Sequence, residues 1–131
     1  MKKLLCIFLS VFLLMSCIGC TAAISLPKDS SVRIVYNRGG VSFDEELSKE
    51  EAELVLSCLN GKRFDLDMTV TGAGCGFGRE QYFVIDGIVY CLGQDGCGVV
   101  WEEGTDRYYN LSMDELSQLR VLFKARGAKW I

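Results

Sequence analysis

The sequence predicts an α+β domain: a twisted, mainly antiparallel sheet of about six or seven short strands with two helices packed on one face. Two observations lead to this prediction. Short runs of β-branched and aromatic residues alternate with tight turns, which favours antiparallel neighbours in meander order. Two longer segments carry apolar residues at helical spacing, and each begins with a helix-start signal.

Alternation and turn residues locate the strands. Residues 62–70 alternate almost perfectly between apolar and polar side chains, which predicts a strand with one buried side. Asp86-Gly87 between two apolar runs is among the strongest short-range hairpin signals. The predicted strands span residues 32–36, 41–43, 62–70, 80–85, 88–92, 99–101 and 107–109.

Both helices are predicted from their first turns. Ser48 with Glu51, and Ser112 with Glu115, form capping boxes, in which each side chain bonds the backbone amide of the other residue. The apolar face of each helix follows at helical spacing: Ala52, Val55, Leu56 and Leu59 in the first, Leu116, Leu119 and Phe123 in the second. Internal duplication is a second interpretation of these two units, but their strands and spacing match poorly.

The N-terminal residues have the features of an export signal. Lys2 and Lys3 precede an apolar run over residues 4–15, which is shorter than the about 20 apolar residues that a transmembrane helix needs. We therefore expect a signal peptide at 1–20, a tether at 21–31 and a single α+β domain at 32–131.

The end of this signal carries a lipidation motif. Residues 14–17 (Leu-Met-Ser-Cys) resemble a bacterial lipobox, with an aliphatic residue three positions before the cysteine and a small residue directly before it. The chain resembles small secreted lipoproteins of Gram-positive bacteria in this signal and in overall build. The resemblance implies that Cys17 is lipidated, and that two acyl chains hold the protein on the extracytoplasmic face of the cell membrane. Cys20 is the alternative; it matches the motif less well but would leave no odd thiol.

Two other interpretations of the N-terminus stay open. Ordinary cleavage near Ala22 or Ala23 would release the domain, and an uncleaved segment would remain as a membrane anchor. All of these interpretations place the domain outside the cytoplasm.

Composition disfavours several classes of function. The 131-residue chain has a net charge of −3, which becomes −5 once the signal with Lys2 and Lys3 is removed. A mildly acidic domain without a basic block is a poor partner for nucleic acid. The chain contains no histidine, and so lacks the usual general base and the commonest transition-metal ligand. No cofactor and no metal site are expected.

Four cysteines lie in the predicted domain: Cys58, Cys75, Cys91 and Cys97. Outside the cytoplasm they allow two disulfides in three connectivities. Cys75 and Cys97 both lie in glycine-rich loops and are the favoured pair. Cys58 and Cys91 are expected to point toward the core, where they either pair with each other or remain buried thiols. The spacings show neither a zinc knuckle nor a Cys-x-x-Cys motif.

Two further patterns have both a functional and a structural interpretation. Asp65 and Asp67 are candidate catalytic carboxylates. The acidic turn with Glu102, Glu103 and Asp106 is a second candidate, for catalysis or for calcium binding. A solvated edge is the commoner meaning of both patterns. The glycine loop at 72–78 lacks the lysine and the following helix of a phosphate loop. It is interpreted as a flexible connection.

Aromatic residues on the predicted hairpins give the remaining functional signal. Trp101, Tyr108 and Tyr109 are candidates for a binding surface, because Tyr and Trp are enriched in protein-binding hot spots. The structural interpretation is packing of the sheet under the two helices.

We therefore expect a non-enzymatic, membrane-tethered interaction module whose partner is another protein. One specific version is an inhibitor or immunity-type protein that blocks an extracellular enzyme. The alternatives are a small envelope enzyme that uses carboxylates or a cysteine, and a structural envelope protein.

Overall fold

A computed structural model describes residues 23–64 and 76–129 of the chain. These ranges contain β1 (Val32–Arg38), β2 (Val41–Glu46), α1 (Lys49–Leu59), β3 (Gln81–Ile85), β4 (Ile88–Leu92), β5 (Val99–Glu102), β6 (Tyr108–Asn110) and α2 (Met113–Lys124). The strands form one sheet in the order β2-β1-β3-β4-β5-β6, and all neighbouring strands are antiparallel. The predicted α+β class is confirmed.

One of the seven predicted strands, at residues 62–70, is described only at its start. Arg63 forms a single antiparallel bridge with Ala23, and residues 65–70 lie outside the described ranges. The signal peptide with Cys17 and Cys20, the carboxylates of Asp65 and Asp67, and Cys75 also lie outside them. Within the described part of the chain, neither helix is long and apolar enough to cross a bilayer.

The hydrophobic core lies between the helices and one face of the sheet. Ile34, Phe83 and Tyr90 stand side by side on β1, β3 and β4, and all three are buried. The apolar faces of α1 and α2 belong to the same core cluster, so both helices pack on this side. We call it the helix-covered face, and the other side of the sheet the opposite face.

The two helices are joined at both ends by ion pairs. Both predicted capping boxes are present. Arg126, just beyond the end of α2, donates to the capping-box carboxylate Glu51 of α1 at 2.8 Å and also pairs with Glu45 of β2. Lys62, just beyond the end of α1, donates to the capping-box carboxylate Glu115 of α2 at 2.6 Å. Each helix therefore begins at a carboxylate held by a cation from the end of the other helix.

Replacing Glu51 by glutamine is expected to destabilise the protein by about 1 kcal/mol at pH 7 and by much less in acid. The hydrogen bond from Arg126 outweighs desolvation and, with the Ser48 amide, holds the pKa of Glu51 below its usual value. A lowered carboxyl pKa contributes stability above the unfolded-state pKa of about 4.3, and this contribution is lost as the pH falls through the folded-state pKa. Urea unfolding of parent and variant at pH 7 and at pH 3 measures the difference.

The matched control is Glu50→Gln, since Glu50 shares the first turn of α1 and the same helix-dipole effect. The role given to Arg126 would be contradicted if the loss of unfolding free energy in Glu51→Gln were the same at both pH values. It would also be contradicted if this loss equalled that of Glu50→Gln.

Residues 23–31 pack along the domain, and we call them the N-terminal strap. Ile24 belongs to the core and is only 8% exposed. Its amide donates to the Lys62 carbonyl at 2.8 Å, and its carbonyl accepts from the Gly61 amide at 2.9 Å. The start of the strap is thus held by backbone bonds to the chain that leaves α1.

The rest of the strap is held by side chains. The Asn60 amide group accepts from the Leu26 N–H at 2.6 Å and donates to the Leu26 carbonyl at 3.0 Å. The Ser30 hydroxyl donates to Asp86 in the β3–β4 turn at 2.7 Å. The folded unit therefore begins by Ala23, whereas the sequence predicted a start near residue 32 and a tether over 21–31.

Candidate binding surface

A row of aligned side chains crosses the opposite face of the sheet. In the strand register Val35 stands beside Tyr82, Tyr82 beside Cys91, Cys91 beside Trp101, and Trp101 beside Tyr108. Side chains directly opposite each other in antiparallel strands have Cβ atoms about 4.5–5.5 Å apart, so neighbours in this row are in contact range. The row gives the opposite face an apolar and aromatic middle.

Phe77 adds a third ring beside Trp101 and Tyr108. It lies in the segment that leads into β3, and its ring centroid is 6.1 Å from Trp101 and 5.5 Å from Tyr108, with the planes tilted by 52° in both pairs. Tilted rings at this separation are a favourable aromatic geometry. All three side chains are half-buried. We call Phe77, Trp101 and Tyr108 the aromatic cluster.

The polar atom of the central ring is bonded within its own hairpin. The Trp101 indole N–H donates to the Thr105 carbonyl at 2.9 Å. The Thr105 hydroxyl in turn donates to the Glu102 carbonyl at 2.7 Å and accepts from the Arg107 amide at 3.0 Å. The turn therefore fixes the position of the indole, whose side chain is half-buried.

A two-pronged ion pair borders this surface. Arg79 Nε and Nη2 donate to the two carboxylate oxygens of Glu103, each at 2.6 Å. By strand alternation Glu103 continues the side of β5 that carries Trp101. The hydrogen bonds from Arg79 hold the pKa of Glu103 below its usual value, so this pair stays charged at neutral pH. An apolar middle with a charged border is the usual layout of a protein interface.

Tyr109 does not belong to this surface, and its predicted place there is wrong. It is 1% exposed on the helix-covered face, where its hydroxyl donates to the Glu102 carboxylate at 2.7 Å. Burial and this bond raise the pKa of the Tyr109 hydroxyl. Neighbouring residues of a strand point to opposite sides, so Tyr108 and Tyr109 cannot share one face.

The acidic turn does not form a cluster either. Glu102 turns inward to Tyr109, Glu103 bonds Arg79 on the opposite face, and Asp106 is exposed. Across residues 23–64 and 76–129, no three Cys, Asp or Glu side chains come together in a way that could hold a metal ion. Strand alternation again separates residues that are adjacent in the sequence.

The cysteines give a mixed outcome. Cys58 lies in the core of the helix-covered face and Cys91 is buried on the opposite face. The sheet separates them, so of the two alternatives left open by the sequence the structure has the buried thiols. Burial, aided by the charge of Glu103, raises the pKa of Cys91 to about 11, which makes a poor nucleophile at neutral pH.

No disulfide joins two cysteines of the described ranges. Cys97 is exposed, and its amide donates to the Asp95 carboxylate at 3.1 Å. Because Cys75 lies outside these ranges, a Cys75–Cys97 disulfide stays a prediction.

Comparisons with known proteins do not identify this site. No protein-family model matches the chain, and neither the curated proteins nor the solved structures contain a match. The class that fold and site define is an α+β domain with two helices on one face of an antiparallel sheet and an aromatic cluster on the other.

Proposed function

We propose that this protein is a membrane-tethered extracytoplasmic lipoprotein whose folded domain is a non-enzymatic module that binds another protein. The observation that supports this most directly is the aromatic cluster of Phe77, Trp101 and Tyr108 on the opposite face. Trp, Tyr and Arg are the residue types enriched at the energetic centre of protein interfaces. Here two such aromatics lie together and an Arg–carboxylate pair borders them.

The cluster is suited to binding for two physical reasons. The rings are held by mutual contacts and by the Trp101–Thr105 hydrogen bond, so a partner would freeze little additional side-chain motion. A fully buried aromatic side chain removes about 150–250 Å² from water, and the half-buried rings still expose part of that area. A partner that covers the exposed part of the rings gains apolar contact, and the indole N–H keeps its hydrogen bond to Thr105.

The proposed tether decides where the partner is found. Two acyl chains on Cys17 would hold the domain at the outer surface of the membrane. The partner is then an envelope protein or an extracellular protein that reaches the cell surface. An inhibitor or immunity-type role, in which the cluster blocks an enzyme, is one form of this function.

Replacing Trp101 by alanine is expected to weaken partner binding by about 30-fold or more, the loss of a typical hot-spot residue of about 2 kcal/mol. The partner would be identified by crosslinking on intact cells followed by mass spectrometry, and its Kd measured with the purified full chain. Tyr108→Ala is expected to act in the same direction with a smaller effect.

Val121→Ala is the matched control, because Val121 is a large apolar residue that is 60% exposed on α2. Thermal unfolding of each variant shows that the fold is retained. Equal Kd values for the parent and both aromatic variants would rule out the cluster as the binding surface.

A further inference from the structure

We infer that the domain rests on the phospholipid headgroups through one corner, formed by Arg63, Ile88 and Arg107 around the start of the N-terminal strap. This inference depends on the proposed lipid anchor and adds to it a fixed orientation of the domain on the membrane. It follows from the docking of the strap, the short chain before it, and the exposed residues at the corner.

The chain between the proposed lipid anchor and the domain is too short to let the domain move far from the membrane. Five residues separate Cys17 from Ala23, and two separate Cys20 from Ala23. Extended chain spans at most about 3.3–3.6 Å per residue, so Ala23 lies within about 21 Å of the Cys17 Cα, or about 11 Å of the Cys20 Cα. A domain of this size has a radius of gyration of about 13 Å. The corner that carries Ala23 must therefore stay close to the membrane.

The strap holds residues 23–31 against the domain from the first described residue onward. Ile24 is in the core and its backbone is bonded on both sides, to Gly61 and to Lys62. The bridge between Ala23 and Arg63 extends this attachment to the first described residue. The direction in which the chain enters the domain is thus set by the fold.

The surface around this entry point fits a headgroup layer. Strap residues from Ala23 onward line a shallow 170 Å³ cleft together with Ile88 and Arg107. Ile88 is 39% exposed and the Arg107 side chain is 51% exposed, with a carboxylate oxygen of Glu102 at 3.7 Å from its guanidinium group. Arg63 is exposed as well. An exposed branched apolar residue with flanking arginines matches the mixed polarity of the membrane interface.

Charge alone does not orient the domain. Asp86 lies in the turn before Ile88 and Asp106 directly precedes Arg107; both are exposed, and their charges offset those of Arg63 and Arg107. The corner is close to neutral, so it is expected to meet zwitterionic and anionic headgroups alike. The acyl chains provide the affinity, and the strap decides which surface faces the lipid.

The test uses tryptophan placed at the corner of the full-length acylated protein. Ile88→Trp and the control Val121→Trp are reconstituted in phosphatidylcholine vesicles that carry a nitroxide on the headgroup of a fraction of the lipid. Relative to the parent, which supplies the background of the native tryptophans, the added fluorescence of Ile88→Trp is expected to be quenched at least twofold more than that of Val121→Trp. Arg63→Trp serves as a second corner probe in case Ile88→Trp unfolds.

Equal quenching at the corner and at α2, in protein that incorporates labelled palmitate, would overturn the orientation while leaving the anchor intact. Incorporation that is lost in Cys17→Ala and kept in Cys20→Ala supports the anchor at Cys17. Absence of label from the parent, or label that survives in both cysteine variants, would overturn the lipid anchor and this inference with it.

Discussion

Replacing Phe123 by alanine is expected to lower the free energy of unfolding by about 3–5 kcal/mol. The Phe123 ring is fully buried where α2 meets the sheet. Its centroid lies 6.2 Å from Tyr36, 6.3 Å from Phe43 and 5.2 Å from Phe83. Truncation leaves a cavity beneath three rings that are anchored on three different strands, so the surroundings have little freedom to close it.

Urea unfolding at pH 7 measures this effect, and Val121→Ala on the exposed side of the same helix is the control. Both changes place alanine in α2, so their difference isolates the loss of buried contacts from helix propensity. The control is expected to stay within about 0.5 kcal/mol of the parent. A loss below about 1.5 kcal/mol for Phe123→Ala would contradict the central place given to this ring, since collapse of the site would then be complete.

Replacing Gly98 by alanine is expected to cost about 2–3 kcal/mol. Gly98 has a φ of +72°, and a Cβ atom there would lie 3.2 Å from the Leu111 carbonyl oxygen. The Gly98 carbonyl also accepts from the Leu111 amide at 2.7 Å, directly before α2. An L-residue with positive φ costs about 1–2 kcal/mol, and the close backbone contact adds to this because neither partner is a flexible side chain.

Gly104→Ala separates the two contributions. Gly104 has a similar φ of +79°, but a Cβ atom there would meet no heavy atom within 4 Å. This control is expected to show the conformational cost alone. Thermal and urea unfolding of both variants give the comparison, and equal losses would mean that the approach of Leu111 has no energetic weight.

Local patterns predicted most of the secondary structure. Both capping boxes and the Asp86-Gly87 turn depend on residues a few positions apart, and the structure has each of them. The segment predicted as a strand at 80–85 forms β3, where Tyr82 and Phe83 lie on different sides of the sheet. These features are visible in a sequence because their physical cause is local.

Alternation applied to β6 would have corrected one part of the candidate site. Tyr108 and Tyr109 are adjacent in a strand, so only one of them was able to join Trp101, and cross-strand pairing selects Tyr108. Phe77 and Arg79 were not assigned to the site, because Phe77 lies within the irregular glycine-rich stretch and Arg79 directly follows it, and no period assigns either residue to a face. Their partners Tyr108 and Glu103 lie more than 20 residues away in the chain.

The docking of the N-terminal strap was not predicted from the sequence either. Residues 23–31 look polar to neutral and turn-like, and a few apolar residues such as Ile24 and Leu26 give no periodic signal. The strap's hydrogen-bond partners lie in the chain that leaves α1 and in the β3–β4 turn, and only the folded structure brings them beside the strap. Because the strap is docked, the chain between the proposed lipid anchor and the domain is shorter than the sequence predicted, and the fold sets the place where this chain enters the domain.

By itself, the sequence determined the fold class, the starts of both helices and the hairpin turns, because capping, turn geometry and alternation act between near neighbours. The tertiary structure alone decided which face each helix covers, that Cys58 and Cys91 are separated by the sheet, and that Phe77 meets Trp101 and Tyr108. It also decided that the domain starts by Ala23. These outcomes depend on strand order and on contacts between distant residues, which the burial of one shared core selects and no local pattern contains.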